Sequence, residues 1–121
     1  MRRGLARVVA VLHYALIPYY LFGGLVPDPT WLLVHLWAVP LTVAHWPLNR
    51  GVCVLSNLES WLRSGRWWDA EDASQGGWVD GVTRAVLGGR TLPPAVVTAL
   101  PYLLLTVAWG GSLAHYLALS E

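Results

Sequence analysis

No lysine occurs in this chain of 121 residues, so all eight basic residues are arginines. Charged residues of either sign make up only 12%, about half of the roughly 25% usual in a soluble domain. The net charge is +1, and the arginines are scattered rather than gathered into a stripe with aromatics, so a nucleic-acid face is excluded. The single cysteine, Cys53, excludes an internal disulfide. No serine lies in a Gly-x-Ser-x-Gly elbow. No glycine-rich loop ends in Lys-Ser/Thr, and no Cys-x-x-Cys occurs. Asp69, Glu71, Asp72 and Asp80 lack calcium-loop spacing and read as a solvated loop. These absences point away from an enzyme, and the sequence assigns no metal and no cofactor.

What is present is apolar. Hydrophobic residues make up 55% of the chain, concentrated in stretches over about 8–26, 31–46 and 94–119, near the roughly 20 residues that a helical span needs. The second is short unless it continues to Leu48. Threaded with the N-terminus inside, the stretches leave residues 1–7 and 47–93 on one face. That face then holds Arg2, Arg3, Arg7, Arg50, Arg63, Arg66, Arg84 and Arg90. The opposite face carries only Asp28 and Glu121, which is the positive-inside pattern. Trp31 and Trp46 mark the ends of the second span, and Trp67 and Trp68 lie just beyond the inner face, at the level that indoles favour. A cleaved signal peptide is the rival for the first span, but Pro18-Tyr19-Tyr20 interrupts its apolar run and no small-x-small site follows.

The expected architecture is therefore an all-α membrane protein: one polytopic domain over 1–121 in a bacterial inner membrane, N-terminus in and C-terminus out. The 47–93 segment forms a cytoplasmic loop with one or two short surface helices. Pro18, Pro40 and Pro101 fall inside the spans, and each removes a hydrogen bond from the carbonyl four residues back. The carbonyls of Tyr14, Leu36 and Val97 then need other partners in lipid. Pro47 is expected to end the second helix. Val54, Leu55, Leu58, Trp61 and Leu62 share one apolar face, so 54–64 reads as an amphipathic helix on the inner leaflet. Ser56-Asn57-Leu58-Glu59 also reads as a capping box, which would delay its regular start to near Ser56. Residues from Trp78 read as a second short helix ended by Gly88-Gly89.

Polar groups at membrane depth are the candidate functional residues. His35, Thr42, His45 and Asn49 form one seam on the second helix. The seam serves either helix–helix hydrogen bonding or a proton, ion or ligand path. His13 and His45 lie towards one side, His35 and His115 towards the other. Two histidines from different helices at one level could clamp a haem iron. Gly110-x-x-x-Ala114 offers a small-residue face to the first helix, the second, or another copy of the chain.

Residues 45–63 read His-Trp-Pro-Leu-Asn-Arg-Gly-Val-Cys-Val-Leu-Ser-Asn-Leu-Glu-Ser-Trp-Leu-Arg. Cys53, Leu55, Ser56, Leu58, Glu59, Leu62 and Arg63 resemble a Cys-x-Leu-[Ser/Thr]-x-Leu-Glu-x-x-Leu-Arg segment. That segment is found in an uncharacterised family of small bacterial membrane proteins, a domain of unknown function. The family pattern has Pro after the Cys, where this chain has Val54. The resemblance implies a few spans and singles out Cys53, Glu59 and Arg63. Glu59 and Arg63 stand at i, i+4, in the favourable order for an ion pair. Glu59 is expected to reach Asn49, His45 or an arginine as the elbow folds back under the bundle. If it were buried and paired, its removal would strand the partner charge. The function that follows is a non-enzymatic helical module binding lipid, a partner membrane protein or a second copy. The alternative is a histidine-based redox or proton/ion transport element.

Overall fold

The computed structural model describes residues 1–67 and 77–121, the side chains of 77–81 excepted. Trp68, the acidic residues of 69–76 and the side chains of Trp78 and Asp80 lie outside this description. The described chain is helical, with α1 (Arg2–Phe22), a single 3₁₀ turn (Gly23–Leu25), α2 (Pro29–Leu48), α3 (Val54–Ser64), α4 (Gly77–Val86) and α5 (Pro94–Ser120). Three segments are long and apolar enough to cross a membrane: Arg2–Leu25, Pro29–Leu48 and Pro94–Ser120. Val11, Trp37, Leu103 and Val107 point outward on them, and surface of that kind needs lipid rather than water. The protein is an all-α, multi-pass membrane protein.

The boundaries have local causes. Asp28 caps α2, its carboxylate accepting the Trp31 N–H at 2.7 Å, and Pro29 takes the first helical position, where its missing N–H costs nothing. Pro94 opens α5 in the same way. The first helix begins at Arg2, so the basic residues belong to it, and it stops at Phe22, before the expected limit, where Gly23-Gly24 tighten into the 3₁₀ turn. Pro47 does not end α2 at Trp46. The helix runs on to Leu48, and the Asn49 and Gly51 N–H groups close its last carbonyls, those of His45 and Trp46. Arg50 and Gly51 then turn the chain with positive φ.

α1 and α5 run from what we term the elbow end towards the turn end, and α2 returns. α2 packs chiefly on α5, α1 chiefly on α3, and the 3₁₀ turn on α5, whereas the backbones of α1 and α2 stay apart over most of their length. The bundle is thus pinched at the Gly23–Gly24 turn and splayed at the elbow, where α3 sits against α1. Trp109 Nε1 donates to the Leu36 carbonyl at 3.0 Å. This is the carbonyl that Pro40 frees, so α5 supplies the bond that α2 lacks.

α3 corrects two expectations. It starts at Val54, not near Ser56, and Ser56 is no cap: its hydroxyl is buried and meets no partner among the described residues. The most deeply buried side is also the polar one, with only Leu62 of the apolar face fully buried beside it. Ser56, Asn57, Glu59 and Ser60 are buried with Leu62, while Val54 and Trp61 stay 44% and 43% exposed. Small side chains explain this burial. Ala6 is the buried residue of α1, and Ser56 and Ser60, one turn apart, let α3 approach α1 closely in the manner of small-residue faces in membranes. Arg2 lies over the Trp61 ring, 5.9 Å from its centroid, a cation–π contact that ties the start of α1 to α3.

Candidate functional site

The polar seam of α2 faces the bundle interior, but it divides between two environments. At the turn end, His35 is fully buried. Its Nε2 lies 3.0 Å from the Tyr20 carbonyl, and its Nδ1 lies 2.9 Å from Ser112 Oγ. A carbonyl only accepts, so Nε2 carries the hydrogen. Ser112 Oγ also lies 2.9 Å from the Ala108 carbonyl, so its one hydroxyl hydrogen is shared between that carbonyl and Nδ1 of the neutral ring. The Tyr20 carbonyl is one of the last in α1, which have no partner within their own helix. Two neighbours are handled alike. Trp31 Nε1 donates to the Gly23 carbonyl at 2.9 Å, and His115 Nδ1 donates to the Gly24 carbonyl at 2.8 Å. Side chains from α2 and α5 therefore satisfy the backbone of a turn that enters apolar surroundings. Tyr19 packs edge-on against both Trp31 and His35, at 5.3 and 5.4 Å between ring centroids.

The glycines make this possible. A Cβ at Gly23 would stand 2.7 Å from His35 Cδ2, and one at Gly24 only 2.0 Å from Ser112 Oγ. Gly24 against Ser112 is thus the close approach of α5. Gly110, Gly111 and Ala114 are exposed, and a Cβ at either glycine would meet nothing, so that face serves neither the first helix nor the second.

At the elbow end, the splay leaves a cavity of ≈ 380 Å³ between α1, α2 and α5, closed below by Cys53–Leu55 and by Val82 and Thr83 of α4. This is within the range of about 300–1,000 Å³ typical of small-molecule sites. Its walls are largely apolar, with Leu16, Ile17, Leu41, Leu104 and Leu105 among them. Pro101 also lines it. The polar groups are few: His13, Tyr20, Thr42, His45, Cys53 and Thr83. Tyr20 and Thr42 hydrogen-bond through their hydroxyls at 2.7 Å. His45 Nε2 accepts the Val54 N–H at 3.2 Å, so this histidine caps α3 from another helix, as an N-cap side chain would. Trp46 stacks edge-on with Tyr102, 5.2 Å between centroids.

The remaining predicted residues build the elbow. Asn49 Nδ2 donates to the Val52 carbonyl at 2.8 Å. With the Asn57 amide turned so that its oxygen faces donors, it accepts from Asn49 Nδ2 at 2.7 Å and from Trp67 Nε1 at 3.2 Å, and its nitrogen donates to the Trp67 carbonyl at 3.2 Å. Glu59 pairs with Arg63, as the i, i+4 spacing suggested, not with Asn49 or His45. The carboxylate side is 5% exposed and the arginine 50%, so removing Glu59 would not strand a buried charge.

The structure therefore brings His13, His45 and Cys53 to one cavity and Glu59 to Arg63. It sets Asn49 in the elbow and His35 and His115 at the turn. Both His35 nitrogens are occupied, so an iron there would have to displace Ser112 or the Tyr20 carbonyl. Among the described residues, no three His, Cys, Asp or Glu side chains gather to hold a metal ion. Sequence reasoning missed Tyr20, Ser112, Trp109 and Asn57. Tyr20 left a trace as a polar break in an apolar run. Trp109 and Ser112 left none, because their partners are distant in the chain, and Asn57 depends on the way the elbow folds Asn49 and Trp67 onto it.

No curated protein and no solved structure matches the chain. A family described as Protein of Unknown function (DUF2784) matches over residues 3–116, nearly the whole chain, and the chain belongs to that family.

Proposed function

We propose that the chain is a non-enzymatic helical module of the bacterial inner membrane that takes an apolar lipid chain into the cavity between α1, α2 and α5. The cavity carries this reading. It has the size of a ligand site and apolar walls, and it lies where three spans diverge. The medium around such spans is hydrocarbon, so the molecule at hand to fill it is a lipid chain. Native mass spectrometry of protein released from bilayer discs tests this: one lipid should stay bound to the wild type and be lost from Leu16→Trp and Leu104→Trp, which fill the space. Retention unaffected by both changes would contradict the reading.

The orientation proposed is N-terminus in and C-terminus out, with α3 at the cytoplasmic face. It is supported by the arginines, which all belong to the elbow-end segments. Reporter fusions after residues 90 and 121 should report inside and outside, respectively. The alternative, a histidine-based redox or transport element, draws on His13 and His45, which line the cavity together. A Soret band in the purified protein, lost in His45→Ala, would favour it.

A further inference from the structure

The cavity wall carries two hydrogen-bond donors that the fold leaves without acceptors. Tyr20 and Thr42 hold two hydroxyl hydrogens, and their mutual bond uses one. Whichever hydroxyl donates, the other keeps its hydrogen, and neither side chain has another partner among the described residues. His45 accepts the Val54 N–H at Nε2, so the neutral ring carries its hydrogen on Nδ1. That N–H also meets no acceptor among the described residues. Thr42 and His45 stand at i, i+3 on α2 and are neighbours on one helix face. Both line the cavity.

A donor facing hydrocarbon with no acceptor is unfavourable, since no water is present there to take the bond. Within the spans the fold supplies donors to its freed backbone carbonyls, whereas the buried hydroxyls left without a partner, Ser56 and Ser60, belong to α3. The Tyr20, Gly23, Gly24 and Leu36 carbonyls all receive side-chain donors. The two unclaimed donors belong to residues that line one cavity.

From this pairing we infer that the cavity selects an apolar molecule bearing carbonyl oxygen, held by the Tyr20–Thr42 hydroxyl pair and the His45 Nδ1–H. The inference rests on the lipid-binding reading and deepens it: the walls take the hydrocarbon, and the two donors choose among hydrocarbons by their acceptors. The carbonyl can come from a lipid-soluble quinone or from the acyl ester of a bilayer phospholipid.

The test uses the full chain in bilayer discs. Decylbenzoquinone and decylbenzene share a tail and differ in their carbonyls. They compete against retained lipid, with native mass spectrometry as readout. Two hydrogen bonds of ordinary strength should give the quinone about tenfold or greater advantage. The triple variant Tyr20→Phe, Thr42→Val, His45→Phe should remove the advantage and leave decylbenzene competition unchanged. With carbon-13-labelled quinone carbonyls, the infrared carbonyl band should move to lower wavenumber on binding to the wild type but not to the variant, a signature that mere loss of fold would not mimic. If the source is the phospholipid ester, the quinone shows no advantage, and retention falls about tenfold when ester-linked discs are replaced by ether-linked ones. The triple variant then abolishes that difference. Equal retention and competition in every arm, with lipid still lost from Leu16→Trp, would overturn the carbonyl inference while leaving lipid binding intact. Retention insensitive to Leu16→Trp would instead remove the lipid reading beneath it.

Discussion

The two ends of this bundle use histidine in opposite ways. At the turn, His35 and His115 are backbone caps: each gives an N–H to a carbonyl that the 3₁₀ turn cannot satisfy, and His35 is sealed by Ser112. At the elbow, His45 also caps a helix, but as an acceptor, and the rest of its ring faces a cavity. Ionisable groups at membrane depth are read as functional by default. The comparison shows that depth alone does not separate the two roles. The discriminating quantity is whether every polar atom of the ring is already engaged.

Substitutions at the two ends should therefore differ in kind. The largest effect is expected at Gly24→Ala. Its new Cβ would sit 2.0 Å from Ser112 Oγ, and α5 would have to move off the turn, at a cost of about 3 kcal/mol. Thermal unfolding in a mild detergent measures this. A melting temperature equal to that of the wild type would mean that the turn end is not close-packed.

His35→Ala should come next, at about 2–3 kcal/mol, because it opens a void and leaves the Tyr20 carbonyl without a donor. His45→Ala loses one cap from a helix start and should cost only about 1 kcal/mol. Measured side by side, the two variants sharpen the contrast. Equal losses would place both histidines in one structural class.

The Glu59–Arg63 pair should show a smaller asymmetry. Arg63→Ala strands a buried carboxylate, yet the guanidinium it loses is half in solvent, so about 1–2 kcal/mol is expected. Glu59→Ala leaves an arginine free to turn to water and should cost about 0.5 kcal/mol or less. Chemical denaturation of both variants decides the order. A larger loss for Glu59→Ala would show the carboxylate anchoring the elbow by contacts other than Arg63.

Much of this organisation was legible in the residues. Apolar run lengths marked three spans, and the periodicity around Leu55–Leu62 located α3. Pro40 marked the Leu36 carbonyl as needing a partner. Its donor, Trp109, was not legible, because 73 residues separate the two and no local pattern links them. The docking face of α3 was only partly legible for a physical reason: periodicity follows hydrophobicity, whereas this contact is set by the small size of Ala6, Ser56 and Ser60, so that of the apolar face only Leu62 is fully buried while Val54 and Trp61 stay exposed. The histidines stood out as polar groups in apolar runs, but their roles depended on the Tyr20, Gly24 and Val54 backbone atoms, which composition does not reveal. Pro47 was overvalued as a stop, since the carbonyls of the last α2 turn find donors in Asn49 and Gly51.

The central claim is that the elbow half of the bundle admits lipid while the turn half is sealed. Photo-crosslinking with a phospholipid carrying a diazirine in its acyl tail, mapped by peptide mass spectrometry, tests it most directly. The account predicts adducts on cavity-lining Leu16, Leu104 and Leu105 as well as on outward residues such as Val11 and Val107, with none on Leu32 or Ser112. Adducts confined to the outward residues, with Leu105 unlabelled, would contradict it.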